Sequence, residues 1–140
     1  MAVDPKALAD AVLAVYDVTL RTTQAASPTL EKHGLTFNTA YVLWAIDPAD
    51  PPPPMGVVAE RTRCTPPNLT FLCDQLESGG LILRTTSVTD RRQRIVQLTP
   101  AGRLAREAVV ESVVKFSPLS ALGSDALADL HRILCPVSML

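Results

Sequence analysis

Cysteine and histidine are scarce here, and so are the patterns that would put them to use. Three cysteines in 140 residues, at 64, 73 and 135, are odd in number and widely spaced. They do not form a disulfide framework, so a reducing compartment, the cytoplasm, is the expected setting. There is no Cys-x-x-Cys and no His-x-x-x-His, and the two histidines, His33 and His131, stand far apart, so no metal site is expected. No apolar run approaches the roughly 20 residues of a membrane span. The N-terminus lacks a basic stretch leading into an unbroken apolar segment, so neither a signal peptide nor a membrane partner is expected. No nucleophile with a matching base, no suitably spaced carboxylate pair and no phosphate loop appears, so the chain reads as a non-enzyme without a cofactor. A formal net charge of −1 argues against an indiscriminate binder of nucleic acid.

The distribution of charge says more than its sum. Between Arg84 and Arg106 lie six arginines (84, 91, 92, 94, 103 and 106) and a single acid, Asp90. A local cationic excess in an otherwise acidic chain suits a one-faced binder of phosphates. The stretch from Thr65 to Leu98 contains most of it. Thr65 is a helix cap, Pro66 suits the first helical position, and Leu69, Leu72, Cys73 and Leu76 recur at helical spacing. Gly79 or Gly80 supplies positive φ past the helix end. Leu81–Val88 and Arg94–Leu98 then read as a hairpin with Thr89–Gln93 at its tip. A capped helix followed at once by an arginine-tipped hairpin can hold a duplex, with the helix in the major groove and the tip at the phosphates or minor groove beside it.

The remaining chain reads as helices. With 47% hydrophobic residues it can bury one core, and 140 residues suit a single domain. Asp4-Pro5 opens a long helix with Leu8, Val12 and Val15 on one face. Ser27-Pro28 is expected to end or kink it near Ala26, with a short helix on to His33. Thr36 caps a helix over Phe37–Ile46, with Tyr41, Val42, Trp44 and Ala45 on or near its buried side. Four prolines at 51–54 read as a stiff extended connector in preference to a polyproline ligand. Met55–Arg63 precedes the turn Cys64-Thr65. Thr99-Pro100 starts a helix to about Phe116, Ser117-Pro118 breaks it, and a last helix over Leu122–Leu134 is closed by Cys135-Pro136. Apolar stripes at both chain ends exceed what the small reading head can cover, which suggests a second subunit.

Asp90-Arg91-Arg92, followed by Leu98-Thr99-Pro100-Ala101-Gly102 and preceded by Leu76-Glu77-Ser78-Gly79-Gly80-Leu81, resembles the winged helix-turn-helix of the multiple antibiotic resistance regulator (MarR) family. The likeness extends over nearly the whole chain. It implies a mainly α (α+β) fold. A winged-helix DNA-binding lobe with a two-stranded wing would occupy residues 35–99, and residues 1–34 and 100–140 would supply dimerisation helices within one domain, 1–140. It further implies a homodimer on a pseudo-palindromic site in double-stranded DNA. The function implied is transcriptional regulation, as a repressor released by a small aromatic or lipophilic effector. Two such heads related by a two-fold would meet half-sites about 34–36 Å apart.

Candidate DNA-binding residues are Thr65, Pro67, Asn68 and Thr70 in the first turns of the helix, and Arg84, Arg91, Arg92 and Arg94 in the wing. Asn68 could bond adenine edges, and a threonine methyl could meet a thymine methyl. Asp90 is expected to orient the wing by holding a tip arginine through a charge-assisted hydrogen bond. Arg103 and Arg106, and Arg84 if it does not reach DNA, fit as anchors or surface residues. Family members often carry a basic residue where this chain has Phe71 or Gln75, and no Lys or Arg lies between Cys64 and Leu83. Strong guanine readout by the helix is therefore not expected, and the wing and phosphate contacts carry most of the affinity. The resemblance also implies an effector cleft, for which Tyr16, His33, Phe37, Tyr41 and Trp44 are candidates beside the plainer reading of aromatic core packing. Cys64, next to a helix N-terminus, allows an alternative in which oxidation controls DNA binding. Peroxide sensors of the family place the reactive cysteine near the start of the first helix, where this chain has none. A winged helix that binds protein instead of DNA is the remaining alternative.

Overall fold

The computed structural model describes residues 2–138. Among them the order is α1 (Pro5–Lys32), α2 (Phe37–Trp44), α3 (Met55–Thr62), α4 (Pro66–Ser78), β1 (Ile82–Thr86), β2 (Arg94–Leu98), α5 (Pro100–Phe116), a 3-10 turn at Pro118–Ala121 and α6 (Ser124–Ser138). The fold is mostly helical with one small antiparallel sheet, as expected. The chain forms two compact units: one is Ala26–Ser112, and the other joins the chain up to Ala25 with the chain from Val113 onward.

The Ala26–Ser112 unit has a continuous apolar core. Val42 and Leu43 of α2, Val58 of α3, Leu69, Leu72, Cys73 and Leu76 of α4, Ile82 of β1, and Val96 and Leu98 of β2 are its buried members, with Ala105 and Val109 of α5. On α4 the four buried positions follow the i, i+3, i+4, i+7 pattern, so one stripe faces the core and the opposite side stays free. Each leucine fully buried there contributes about 1.5–3 kcal/mol. Thr65 caps α4, its Oγ1 accepting the Asn68 N–H at 3.4 Å. At the other end Gly80, at φ 75°, takes the left-handed conformation. The Leu81 N–H then reaches back to the Leu76 carbonyl at 2.9 Å. The wing pairs Ile82 with Leu98 and Thr86 with Arg94, in register throughout.

The Leu98-Thr99-Pro100-Ala101-Gly102 motif acquires a physical cause. The Thr99 hydroxyl donates to the Gly80 carbonyl at 2.6 Å. The same oxygen accepts the Gly102 N–H at 3.0 Å, capping α5. The Thr99 N–H bonds the Leu81 carbonyl at 3.1 Å. Together these draw the first turn of α5 against the Gly80–Leu81 backbone. A Cβ on Gly102 would overlap the Leu81 carbonyl oxygen, so only glycine fits there.

Several expectations are corrected. Helix α1 continues through Pro28 to Lys32 instead of ending near Ala26. An interior proline costs about 3 kcal/mol, but Ala26 and Leu30 on either side of it are both buried, and that packing holds the helix together. Helix α6 likewise runs past Pro136 to Ser138. On α2, Tyr41 and Trp44 are exposed, at 46% and 37%, while Leu43 takes a core position beside Val42. The proline run is more than a connector. The Pro53 carbonyl accepts the Val96 N–H at 2.9 Å, and Pro54 bridges Ile95 antiparallel. Proline lacks an N–H but keeps its carbonyl, so the run can line the free edge of β2 as an acceptor.

In the other unit, α1 up to Ala25 buries no residue. Leu8, Val12, Leu13, Val15, Tyr16 and Leu20 of α1 and Ile133 and Val137 of α6 are exposed apolar side chains. The Thr22 and Ser117 hydroxyls share a hydrogen bond at 3.0 Å, tying α1 to the turn after α5. Among the described residues no helix is long and apolar enough to cross a membrane.

Candidate nucleic-acid interface

Helices α3 and α4 meet at a tight turn in which Arg63 adopts φ 56°, ψ 31°. This left-handed position usually takes a glycine, and the turn falls where the sequence places it, at Cys64-Thr65 directly after Arg63. It frees the outward side of α4, where Pro67, Asn68, Thr70, Phe71 and Asp74 are all exposed. Phe71 is 59% exposed. The side chains differ in what they can offer. The Thr65 hydroxyl is engaged as the cap. The Thr70 hydroxyl donates to the Pro66 carbonyl at 3.0 Å, which leaves its methyl for outside contact. The Asn68 amide approaches only the Cys64 sulfur, at 3.8 Å, and stays available. Phe71 went unassigned in the sequence, although its spacing from Pro67 and Asn68 already put it on their side of the helix.

The wing tip orders itself. The buried Ser87 hydroxyl accepts the Thr89 and Asp90 N–H groups at 3.3 and 3.4 Å. The Ser87 N–H reaches the Gln93 carbonyl at 2.9 Å, closing the loop. Asp90 Oδ1 accepts the Arg92 backbone N–H at 3.0 Å. The aspartate therefore orients the wing through the main chain and not, as expected, by gripping a guanidinium. Arg91 and Arg92 are exposed and make no ion pair among the described residues. Two unpaired cations on a braced turn form a compact positive point next to α4.

Not every arginine of the 84–106 run is available. The Arg84 side chain is only 10% exposed, and its Nη2 bonds Asp74 at 2.5 Å and Glu77 at 2.8 Å. Its backbone N–H also reaches Glu77 Oε1 at 3.1 Å. Arg84 thus joins β1 to α4 and is removed from the residues expected to touch DNA. It sits three residues into a strand that packs beside α4, where the two carboxylates capture it. Arg94 donates to the Arg84 carbonyl at 3.2 Å. Arg106 donates to the Trp44 carbonyl at 3.2 Å, and Arg61 to the Ala45 carbonyl at 2.9 Å. Both cations satisfy the C-terminal end of α2, where the helix dipole favours positive charge. Among the described residues, that leaves Arg91, Arg92 and Arg103 of the run without such a bond.

The hydrogen bonds from Arg84 hold the Glu77 carboxyl below the usual carboxylate range. A folded-state value below the unfolded one means the contact stabilises above the ordinary carboxylate pKa and is lost as pH falls through the folded value. Glu77→Gln should therefore flatten the acid limb of a melting-temperature–pH profile and leave its neutral limb nearly parallel. Arg84→Ala, which strands both carboxylates, should lower the melting temperature at pH 7 by about 3–6 °C. An unchanged melting temperature would remove the strand–helix tie from this account.

The cysteines separate. Cys73 is fully buried, and burial pushes its thiol up to about 11, which makes it unreactive. Cys64 is half-buried at the mouth of α4, its thiol 3.8 Å from the Thr62 carbonyl. Among the described residues no cluster of His, Cys, Asp and Glu could hold a metal ion.

The effector candidates fall into distinct places. Phe37, Tyr41 and Trp44 share one exposed face of α2, with the Phe37 and Tyr41 rings stacked at 6.4 Å. His33 lines a different hollow, with Thr36, Thr39, Gln75 and Gly79. Tyr16, in the other unit, lines a groove with Pro5, Leu8, Val12 and Leu13.

Two helices at a tight turn, the second bare on its outer side, with a braced cationic hairpin beside it, define a winged helix-turn-helix DNA-binding protein. The model of the MarR family matches residues 33–93, and 191 solved chains match the structure. CouR from Rhodococcus jostii, solved with p-coumaroyl-CoA, superposes with a TM-score of 0.82 at 21% identity over 92% of each chain. The transcriptional repressor CouR bound to a 23-mer DNA duplex gives 0.75 at 25% identity over 99% of each. NadR in complex with 4-hydroxyphenylacetate gives 0.76 at 20% identity, over all of this chain and 95% of NadR. No curated protein sequence matches significantly. The matched residues carry the helix-turn-helix and most of the wing, and the chain has the fold of MarR-family DNA-binding regulators of transcription.

Proposed function

We propose that this chain is a homodimeric, sequence-specific repressor of transcription, acting in the cytoplasm and released from its operator by a small aromatic or lipophilic molecule. The observation that carries the DNA half of this reading is the pairing of a free outer face on α4 with Arg91 and Arg92 on a self-braced wing. The apolar side chains left bare on α1 and α6 support the dimer, since a second copy would remove them from water. Two heads then require a pseudo-palindromic site with half-sites one helical turn apart. CouR and NadR, each solved with an aromatic ligand, support the class of effector. The exposed aromatic face of α2, Phe37, Tyr41 and Trp44, is the surface we assign to it, with His33 and Tyr16 as further candidates.

Selection of bound sequences from a random duplex pool tests the DNA reading and the dimer together. The expected result is an inverted repeat with half-site centres about 10 base pairs apart. Recovery of single, unpaired motifs, or of no enrichment, overturns it. A second reading, control by oxidation, has one specific contact in its favour: the Asn68 amide against the Cys64 sulfur. Peroxide that weakens DNA binding in the wild type and not in Cys64→Ser would establish it. On the effector reading both proteins bind alike before and after peroxide.

A further inference from the structure

The outer face of α4 has an unusual chemistry for a surface that meets a polyanion. It carries no cation, because no Lys or Arg lies between Cys64 and Leu83, so the bidentate arginine contact that selects guanine is missing. Its acids are also withdrawn. Asp74 Oδ1 and Glu77 Oε2 are bonded to the Arg84 guanidinium, and Glu77 Oε1 to the Arg84 backbone. Arg84 thereby neutralises charge that would repel phosphates and occupies both oxygens of Glu77 and one of Asp74. The hydroxyls of Thr65 and Thr70 bond within the helix. What projects outward is therefore the Pro67 ring, the Thr70 methyl and, largest of all, the Phe71 ring at 59% exposure. Asn68, whose amide reaches the Cys64 sulfur at 3.8 Å, and the exposed Gln75 supply the amides.

We infer that Phe71 is a base-reading residue and that it selects thymine through the 5-methyl group. The inference rests on the DNA-binding reading given above and adds the base class it recognises. In the major groove the thymine methyl is the one apolar feature a base pair presents, and an aromatic or aliphatic side chain is its natural partner. An amide such as that of Asn68 pairs with the adenine edge. Proline, threonine methyl, phenylalanine and asparagine together thus describe a half-site of A·T pairs, with a thymine methyl against the Phe71 ring. Affinity still comes mainly from phosphates touched by the wing. Base choice comes from methyl burial on α4, and this division makes the two separable by experiment.

The test uses the full chain and a duplex recovered from the random pool, synthesised with thymine and again with deoxyuridine at one half-site position at a time. Uracil pairs as thymine does and lacks only the methyl. Wild-type protein should bind about fourfold more weakly when the critical methyl is removed, the value of one buried carbon. Phe71→Ala should bind both duplexes equally, and Phe71→Leu should keep the preference, which separates contact from misfolding. Phe71→Arg, selected on a fresh pool, should move the preferred base at that position to guanine. Wild-type binding indifferent to every methyl, with its salt dependence intact, overturns this inference and leaves the DNA-binding reading standing. So does a selected half-site without thymine. Binding to no duplex at dilute salt overturns both.

Discussion

Replacing Gly102 with alanine is expected to lower folding stability by about 3 kcal/mol, the upper part of the range for overpacked sites. The reason is geometric. The new methyl would overlap the Leu81 carbonyl oxygen and lie 2.9 Å from its carbon, and both are backbone atoms that cannot rotate away. Relief requires α5 to move off β1. That movement would break the Thr99–Gly80 and Thr99–Leu81 hydrogen bonds and disturb the burial of Ala105 and Val109. Against a total stability of about 5–15 kcal/mol, the loss would show as a large fall in urea midpoint with little change in slope. Ala101→Ser, one residue earlier and exposed, should change stability by about 0.5 kcal/mol or less. Equal urea midpoints for Gly102→Ala and the wild type would show that the close approach is not what positions α5.

The second large effect concerns DNA. Arg91→Ala combined with Arg92→Ala should reduce affinity for every duplex, selected or random. It should also flatten the dependence of log K on log salt by about 0.9 for each phosphate that the wing no longer neutralises. Folding should be untouched, because the tip is held by Ser87, Asp90 and Gln93, and not by either guanidinium. At low salt the loss should reach tens of fold, and the gap should narrow as salt rises. The preference for one base over another should survive, since that resides on α4. Asp90→Ala makes the complementary case: it keeps both charges and removes the acceptor that fixes the Arg92 backbone, so it should weaken binding less than the double variant while leaving the salt slope closer to wild type. A double variant with unaltered affinity and slope would exclude the wing from DNA contact.

The elements most legible in the sequence were those with local causes. Thr65-Pro66 starting α4, Thr36 capping α2, the hairpin over 82–98 and the helix from Pro100 to Phe116 all depend on residues within a few positions of one another. The misread elements depended on how one element packs against another. Pro28 looked like a stop because local rules make it one, but buried neighbours on both sides outweigh it. The aromatic residues of α2 looked like core because aromatic side chains usually bury. Val42 and Leu43 fill that space and leave Tyr41 and Trp44 outside. The arginine run looked uniformly cationic. Asp74 and Glu77 lie ten and seven residues before Arg84, and only the packing of β1 beside α4 lets them capture it.

Sequence alone pointed to the class of protein: periodicity and capping residues act over short range, and the Asp90-Arg91-Arg92 and Leu98–Gly102 motifs resemble those of a known family, so both can be read without coordinates. Tertiary structure decided which of those residues face outward. It withdrew Arg84 into internal bonds, engaged Arg94 and Arg106 with backbone carbonyls, turned Asp90 toward the backbone of its own loop, explained Gly102 by the Leu81 carbonyl pressed against it, and left Phe71 bare. Availability to a ligand is what remains after a side chain's neighbours have been satisfied, and those neighbours are brought together only by folding.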